Sequence, residues 1–276
     1  MADAKMIEYR VDNGIAVLEI NRPPVNSYTT ELLKELDATI LDARFDDNVH
    51  AIVITGKVEK FFSAGADINM LSKQSLGFKN NFALHGHEVL MRLENTPKIV
   101  IAAINGHAVG VGITMTLQWD IRLAAEGAKL AFAFVRRGVI PEALSTWILP
   151  RLVGASTAAE LLLSGRTLTA REALEHGIVS RVVPAAELLP TAMAVASDIA
   201  RNTAPVSVAI TKRLLWRHLG EEQLRAAEAL ERQLFDWCGS QPDAREGVRA
   251  FLEKRQPQWS MRPSRDLPEV LRKKPL

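Results

Sequence analysis

Polar and apolar positions alternate from Ile7 to Asn21 on either side of Asn13-Gly14, with Ile15, Val17 and Ile20 apolar. That pattern predicts two short strands joined by a tight turn. After Pro23-Pro24 the period changes: Leu32, Leu33, Leu36, Ile40 and Leu41 recur at helical spacing between Tyr28 and Phe45, and Thr29 or Thr30 can cap the helix they predict. Ala51 to Thr55 then reads as a buried strand. The alternation continues with a weakly patterned helical stretch to Leu93 and a β-branched run from Ile99 to Ile104. A small-residue helix from about Gly112 to Gln118 and a strand around Ile121 to Ala124 follow. Strands and helices interleave, which places the chain in the α/β class.

Beyond Leu144 nearly every segment has helical spacing, punctuated at Gly154, Gly165, Gly177 and Pro205; Ile178 to Val183 is the strand-like exception. The helix expected from Glu221 to Trp237 aligns Leu224, Ala227, Leu230, Leu234 and Trp237 on one stripe, to be covered by the core or by another subunit. From Arg255 onward six cations face two anions, giving the tail a net charge of +4, which reads as a solvated tail. No repeat of fixed period and no low-complexity tract interrupts the chain.

Composition narrows the function. The 276 residues carry 34 Lys and Arg against 32 Asp and Glu, a formal +2, which argues against a nucleic-acid scaffold and an acidic disordered chain. A 47% hydrophobic content suits a large folded core. The single cysteine, Cys238, excludes an intrachain disulfide and a thiolate metal site, and a reducing, cytoplasmic setting is expected. No secretory signal is visible, and the longest aliphatic run is too short to cross a bilayer.

Two small-residue segments follow predicted strands and lead toward helices. In Phe61-Phe62-Ser63-Ala64-Gly65-Ala66-Asp67-Ile68, small side chains let a ligand approach the backbone, and Gly65 permits a conformation that turns the Ala66 amide outward. In Ile104-Asn105-Gly106-His107-Ala108-Val109-Gly110-Val111-Gly112, Gly110 and Gly112 flank a helix start whose unpaired N–H groups favour a developing anion. Two amides from separate loops can thus form an oxyanion hole. Met115 stands where a dinucleotide loop needs its third glycine, a Walker sequence is absent, and Ser63 lacks the setting of an esterase nucleophile.

These segments resemble the enoyl-CoA hydratase/isomerase (crotonase) superfamily. The resemblance runs through Ile20-Asn21-Arg22-Pro23, Val25-Asn26-Ser27, both glycine loops, Gly165-Arg166, Ala170-Arg171-Glu172-Ala173, Gly177-Ile178-Val179 and Phe251-Leu-Glu-Lys-Arg255. It implies a spiral of ββα turns over residues 1–204 and a helical trimerisation region over 205–276, assembled as a homotrimer or a dimer of trimers. It also implies a CoA thioester whose carbonyl oxygen lies between the Ala66 and Val111 amides. Arg22, Ala64, Asp67, Ile68 and Gly110 would line the substrate path, with Phe251 and Lys254 reaching CoA. No metal or separate cofactor is expected, since CoA is part of the substrate, and neither nucleic acid nor a membrane is an expected partner.

Family members that hydrate double bonds use two glutamates, and here those positions read Thr114 and Phe134, both assigned to the acyl pocket. Hydration needs a base on water and an acid for the α-carbon. The isomerase-like branch instead carries one acid in Ile-Pro-Glu/Asp, matched by Ile140-Pro141-Glu142 and followed by Trp147-Ile-Leu-Pro-Arg-Leu-Val-Gly154. Moving a β,γ double bond to α,β needs one group that takes a proton from C2 and returns it at C4. An apolar wall of Phe134, Val139, Ile140 and Trp147 would raise the pKa of Glu142. The same glutamate suits a helix cap before Leu144; the resemblance favours catalysis. Other enolate reactions, hydration and non-catalytic acyl-CoA binding are the alternatives. His85 and His87 cannot share a helix face, so at most one reaches substrate; His107 reads as a loop residue.

Overall fold

The computed structural model describes residues 5–69, 85–89, 91, 93 and 95–272; much of the stretch between Leu71 and Leu93 lies outside them. Strands β1 (Ile7–Asp12) and β2 (Ile15–Ile20) form the expected hairpin, with Asn13 and Gly14 both at positive φ in its turn. Helix α1 (Thr30–Phe45) begins where Thr29 accepts from the Leu32 amide, and it buries Leu32, Leu33, Leu36 and Ile40. Three strand pairs follow. The first member is long: β3 (Ala51–Gly56), β5 (Ile99–Ile104) and β7 (Ile121–Ala125). The second has three residues: β4 (Phe61–Ser63), β6 (His107–Val109) and β8 (Lys129–Ala131).

The long strands enter a six-stranded sheet ordered β1-β2-β3-β5-β7-β10, parallel except at the hairpin and closed by β10 (Arg181–Val183). The short ones build a second sheet, β4-β6-β8-β9, ending at β9 (Thr167–Thr169). This is the spiral of ββα turns: each turn donates one strand to each sheet, then a helical segment. Both faces of the sheet's centre are covered, so β3 and β5 are apolar nearly throughout, whereas the edge strand β1 is polar and mostly exposed. Leu18, Ile52, Ile54, Val100 and Ala102 face α1 and the small sheet. Val17, Val53, Ile101 and Leu123 face α6 (Ala185–Asn202), which the shorter helices α2 (Val111–Thr114), α3 (Ser145–Val153), α4 (Ala155–Ser164) and α5 (Ala170–Glu175) precede along the chain.

In the carboxyl-terminal part, packing within the chain takes up most of the stripe: Leu230, Leu234 and Trp237 of α8 (Leu224–Ser240) pack on Val206 and Ile210 of α7 (Pro205–His218), while Leu224 stays exposed. The segment after α9 (Pro242–Glu253) is not simply a solvated tail, because Met261, Leu267 and Leu271 close that same cluster. Two of its cations are anchored too. Arg255 donates to Glu246 at 2.6 Å, and Arg265 pairs with Asp266 at 2.9 Å. Lys212 of α7 ties this helical layer to the spiral, donating to Asp120 at 2.8 Å and to the Lys98 carbonyl. Among the described residues, no helix is long and apolar enough to cross a membrane.

Candidate active site

Gly65 and Gly110 come just after the short strands β4 and β6, each the second strand of its pair. Gly65 adopts φ +88°, a conformation open to glycine, and a Cβ there would lie 2.6 Å from the Val109 carbonyl and 3.5 Å from the Val111 nitrogen. The loops therefore touch through a position that has no side chain. Gly112 makes the second close approach, its missing Cβ 2.5 Å from the Ser63 carbonyl. Between these contacts the backbone bonds use the neighbours of Ala66: the Tyr28 amide donates to Gly65, and the Asp67 amide to Tyr28. Among the described residues the Ala66 and Val111 amides have no acceptor. Val111 opens α2, where the first amides of a helix lack intrahelical partners.

The segment before α1 braces the first loop. Ser63 Oγ donates to the Asn26 carbonyl at 2.7 Å and accepts from the Gly65 amide at 3.1 Å. Asn26 Nδ2 reaches the Phe61 and Phe62 carbonyls, and Asn26 itself has φ +51°. Arg22 donates to Ser27 Oγ at 2.5 Å and to Asp67 at 2.9 Å, so its guanidinium is spent holding the loop. Ala64 and Ala66 are half-buried and Ile68 is exposed.

Thr114 is fully buried and its hydroxyl turns back to the Gly110 carbonyl at 3.3 Å. Phe134 is also buried, its ring tip 4.0 Å from where a Gly110 side chain would begin. The interior beside the second loop is thus apolar and lacks a carboxylate at either position. Val139 and Ile140 correct the expected wall: they are 54% and 83% exposed, so within one chain they do not enclose Glu142.

Glu142 is half-buried, and burial pushes its carboxyl above the usual glutamate range. Its carboxylate meets no donor and no cation among the described residues. It is not a helix cap, because α3 starts at Ser145 behind Leu144 with no side-chain cap. The backbone here was not foreseen. Ala143 and Leu144 both adopt left-handed φ, +56° and +54°, a conformation that costs non-glycine residues about 1–3 kcal/mol each. Buried polar groups hold this bend: Ser145 donates to the Glu142 carbonyl through its amide and its Oγ, and Gln118 Nε2 donates to the Ala143 carbonyl at 3.1 Å.

His85 pairs with Glu88 one turn along, and His87 is exposed. His107 accepts from the Lys129 amide and stands edge-on to Phe61. Phe251 is 83% exposed near the end of α9, and Lys254 caps that helix at φ +53°. A groove of about 410 Å³ lined by His50, Arg201, Trp259 and Arg262 sits near the opposite end of the sheet, at the entry to β3, and contains none of the predicted residues.

Residues 10–262 match the family described as enoyl-CoA hydratase/isomerase. The chain belongs to this family. It is 40% identical over 250 residues to enoyl-CoA hydratase ACTT3 of Alternaria alternata, covering 90% of this chain and 83% of that protein. It is 37% identical to the short-chain-enoyl-CoA hydratase of Clostridium acetobutylicum, covering 88% of this chain and 93% of that protein. Its fold is similar to the crystal structure of a probable enoyl-CoA hydratase/isomerase from Mycobacterium abscessus, with a TM-score of 0.84, 38% identity and coverage of 92% and 98%. The crotonase fold and an acyl-CoA-processing activity are therefore established at the level of the family, and an acyl-CoA thioester substrate is consistent with it.

Proposed function

We propose that this family member is an enoyl-CoA isomerase that moves a β,γ double bond to α,β with Glu142 as its single base. The unpaired, half-buried Glu142 carboxyl on its strained bend carries the reading, together with Thr114 and Phe134 where hydration would need acids. The Glu142 carboxylate takes a proton from C2 of a 3-enoyl-CoA. Electrons move into the thioester carbonyl, and the oxyanion is held by the Ala66 and Val111 amides. The carboxylic acid then returns its proton at C4 as the double bond settles between C2 and C3. Buried alone, a carboxylate is a stronger base than in water, and one group serves both transfers.

The names of several relatives favour hydration as a second reading. Incubating the pure protein with 3-enoyl-CoA and 2-enoyl-CoA substrates separates the two. Isomerised product without 3-hydroxyacyl-CoA supports the isomerase; 3-hydroxyacyl-CoA as the main product overturns it. The same reading assigns residues 205–276 to assembly as a homotrimer or dimer of trimers. Leu224, Phe235, Val248 and Phe251 support this, as they remain 62–85% exposed after the chain has packed its own cluster. Sedimentation that finds only monomer at micromolar concentration contradicts it.

A further inference from the structure

We propose that Gln118 and Ser145 are positioning residues that clamp the Glu142 bend to the element carrying the Val111 amide. The proposal rests on the isomerase reading above, in which Glu142 is the base. Gln118 closes the short 3-10 turn Met115–Gln118, which continues directly from α2, whose first residue is Val111. Its mount is rigid: the buried Arg122 guanidinium donates to the carbonyls of Thr116, Leu117 and Trp119, on both sides of Gln118, and to Ile178. From that mount the Gln118 amide, 2% exposed, spans to the Ala143 carbonyl. One side chain thus links the oxyanion donor's own helical segment to the residue after the base.

Ser145 closes the bend from the other side. It is fully buried, and its Oγ and amide converge on the Glu142 carbonyl at 2.6 and 3.1 Å. Two consecutive left-handed non-glycine residues persist only where their surroundings fix them. Here that fixing is done by two buried polar side chains, neither of which is needed to start α3 as a cap. Without the clamp the bend relaxes toward ordinary backbone angles and the carboxylate moves relative to the amide pair. A displacement of about 1 Å in a reacting group costs on the order of 100-fold in rate.

Gln118→Met preserves volume and removes the donor, and Ser145→Ala removes the hydroxyl; each is assayed in the full-length protein with 3-hexenoyl-CoA. The expected result is a fall in kcat of about 100-fold with KM nearly unchanged, since the amides and the CoA path are untouched. In the Glu142→Gln background, Gln118→Met should then cost little more, because there is no base left to misplace. Three outcomes overturn the clamp: kcat within twofold of the parent in both variants; losses that multiply fully with Glu142→Gln; or kcat and KM changing together with a collapsed melting transition in both variants. Should Glu142→Gln itself isomerise at the parent rate, the reading beneath the clamp fails, and that result is distinct from a failure of Gln118 or Ser145.

Discussion

The two glycine loops and the Glu142 bend solve a similar geometric problem with opposite materials. In the proposed reaction each must turn a chemical group toward the substrate. The loops do so by omission: Gly65 and Gly112 approach neighbouring carbonyls to distances no Cβ allows, and the exposed chemistry is backbone N–H. The bend forces Ala143 and Leu144 into left-handed angles and holds them with buried Gln118 and Ser145, and the chemistry is a side chain. A backbone donor is available whatever residue bears it, so the loops suit any enolate reaction. In the proposed function, the Glu142 carboxylate, with Thr114 and Phe134 where further acids would stand, decides which reaction follows.

That contrast orders the expected effects. Replacing the base should do the most: Glu142→Gln is expected to lower isomerisation about 1,000-fold or more while acyl-CoA binding measured by calorimetry survives. Damage to the loops comes next. Gly65→Val combines a disallowed φ of +88° with a Cβ 2.6 Å from the Val109 carbonyl, and loss of one amide donor costs about 100- to 1,000-fold in kcat. Retained activity there would dissolve the distinction between backbone and side-chain chemistry.

Proton linkage tests the bend with a smaller effect. Burial raises the Glu142 pKa, so kcat should fall as pH drops through a value above about 4.3, the ordinary glutamate value. The stability sign is opposite. A raised folded-state pKa contributes stability below the unfolded value, and that contribution is lost as pH rises through the folded value. The charged form at neutral pH therefore destabilises the protein, and Glu142→Gln should raise Tm at pH 7 and not at pH 3.5. An unchanged Tm at both pH values would mean the carboxyl is effectively solvated. Smallest of all, Thr114→Val should leave kcat within about twofold, because its hydroxyl only turns back onto the Gly110 carbonyl.

The hairpin, α1, β3, β5 and the two loops were legible because each has a period or a glycine where the backbone demands one. Strands β4, β6, β8 and β9 were not, since three residues are too few to show alternation. The bend escaped notice for a different reason: Ala143 and Leu144 carry no turn signature, and what holds them lies 25 residues away at Gln118 in one direction and next door at Ser145 in the other. Arg22 and Asp67 were expected to line the substrate path; in the structure they bond to each other across 45 positions, a pairing no local pattern encodes. The stripe on α8 was read correctly as apolar, but pattern alone could not say that α7 and Met261 would cover part of it.

If one carboxylate carries the proton, the fate of a deuterium at C2 of 3-hexenoyl-CoA reports it. In ordinary water the parent should release that label to solvent or deliver part of it to C4 of the 2-enoyl product, with no hydroxyl gained, and Glu142→Gln should leave the label in place at C2. Label lost equally fast from the Gln variant, or a parent that adds water and never moves the double bond, would contradict the account.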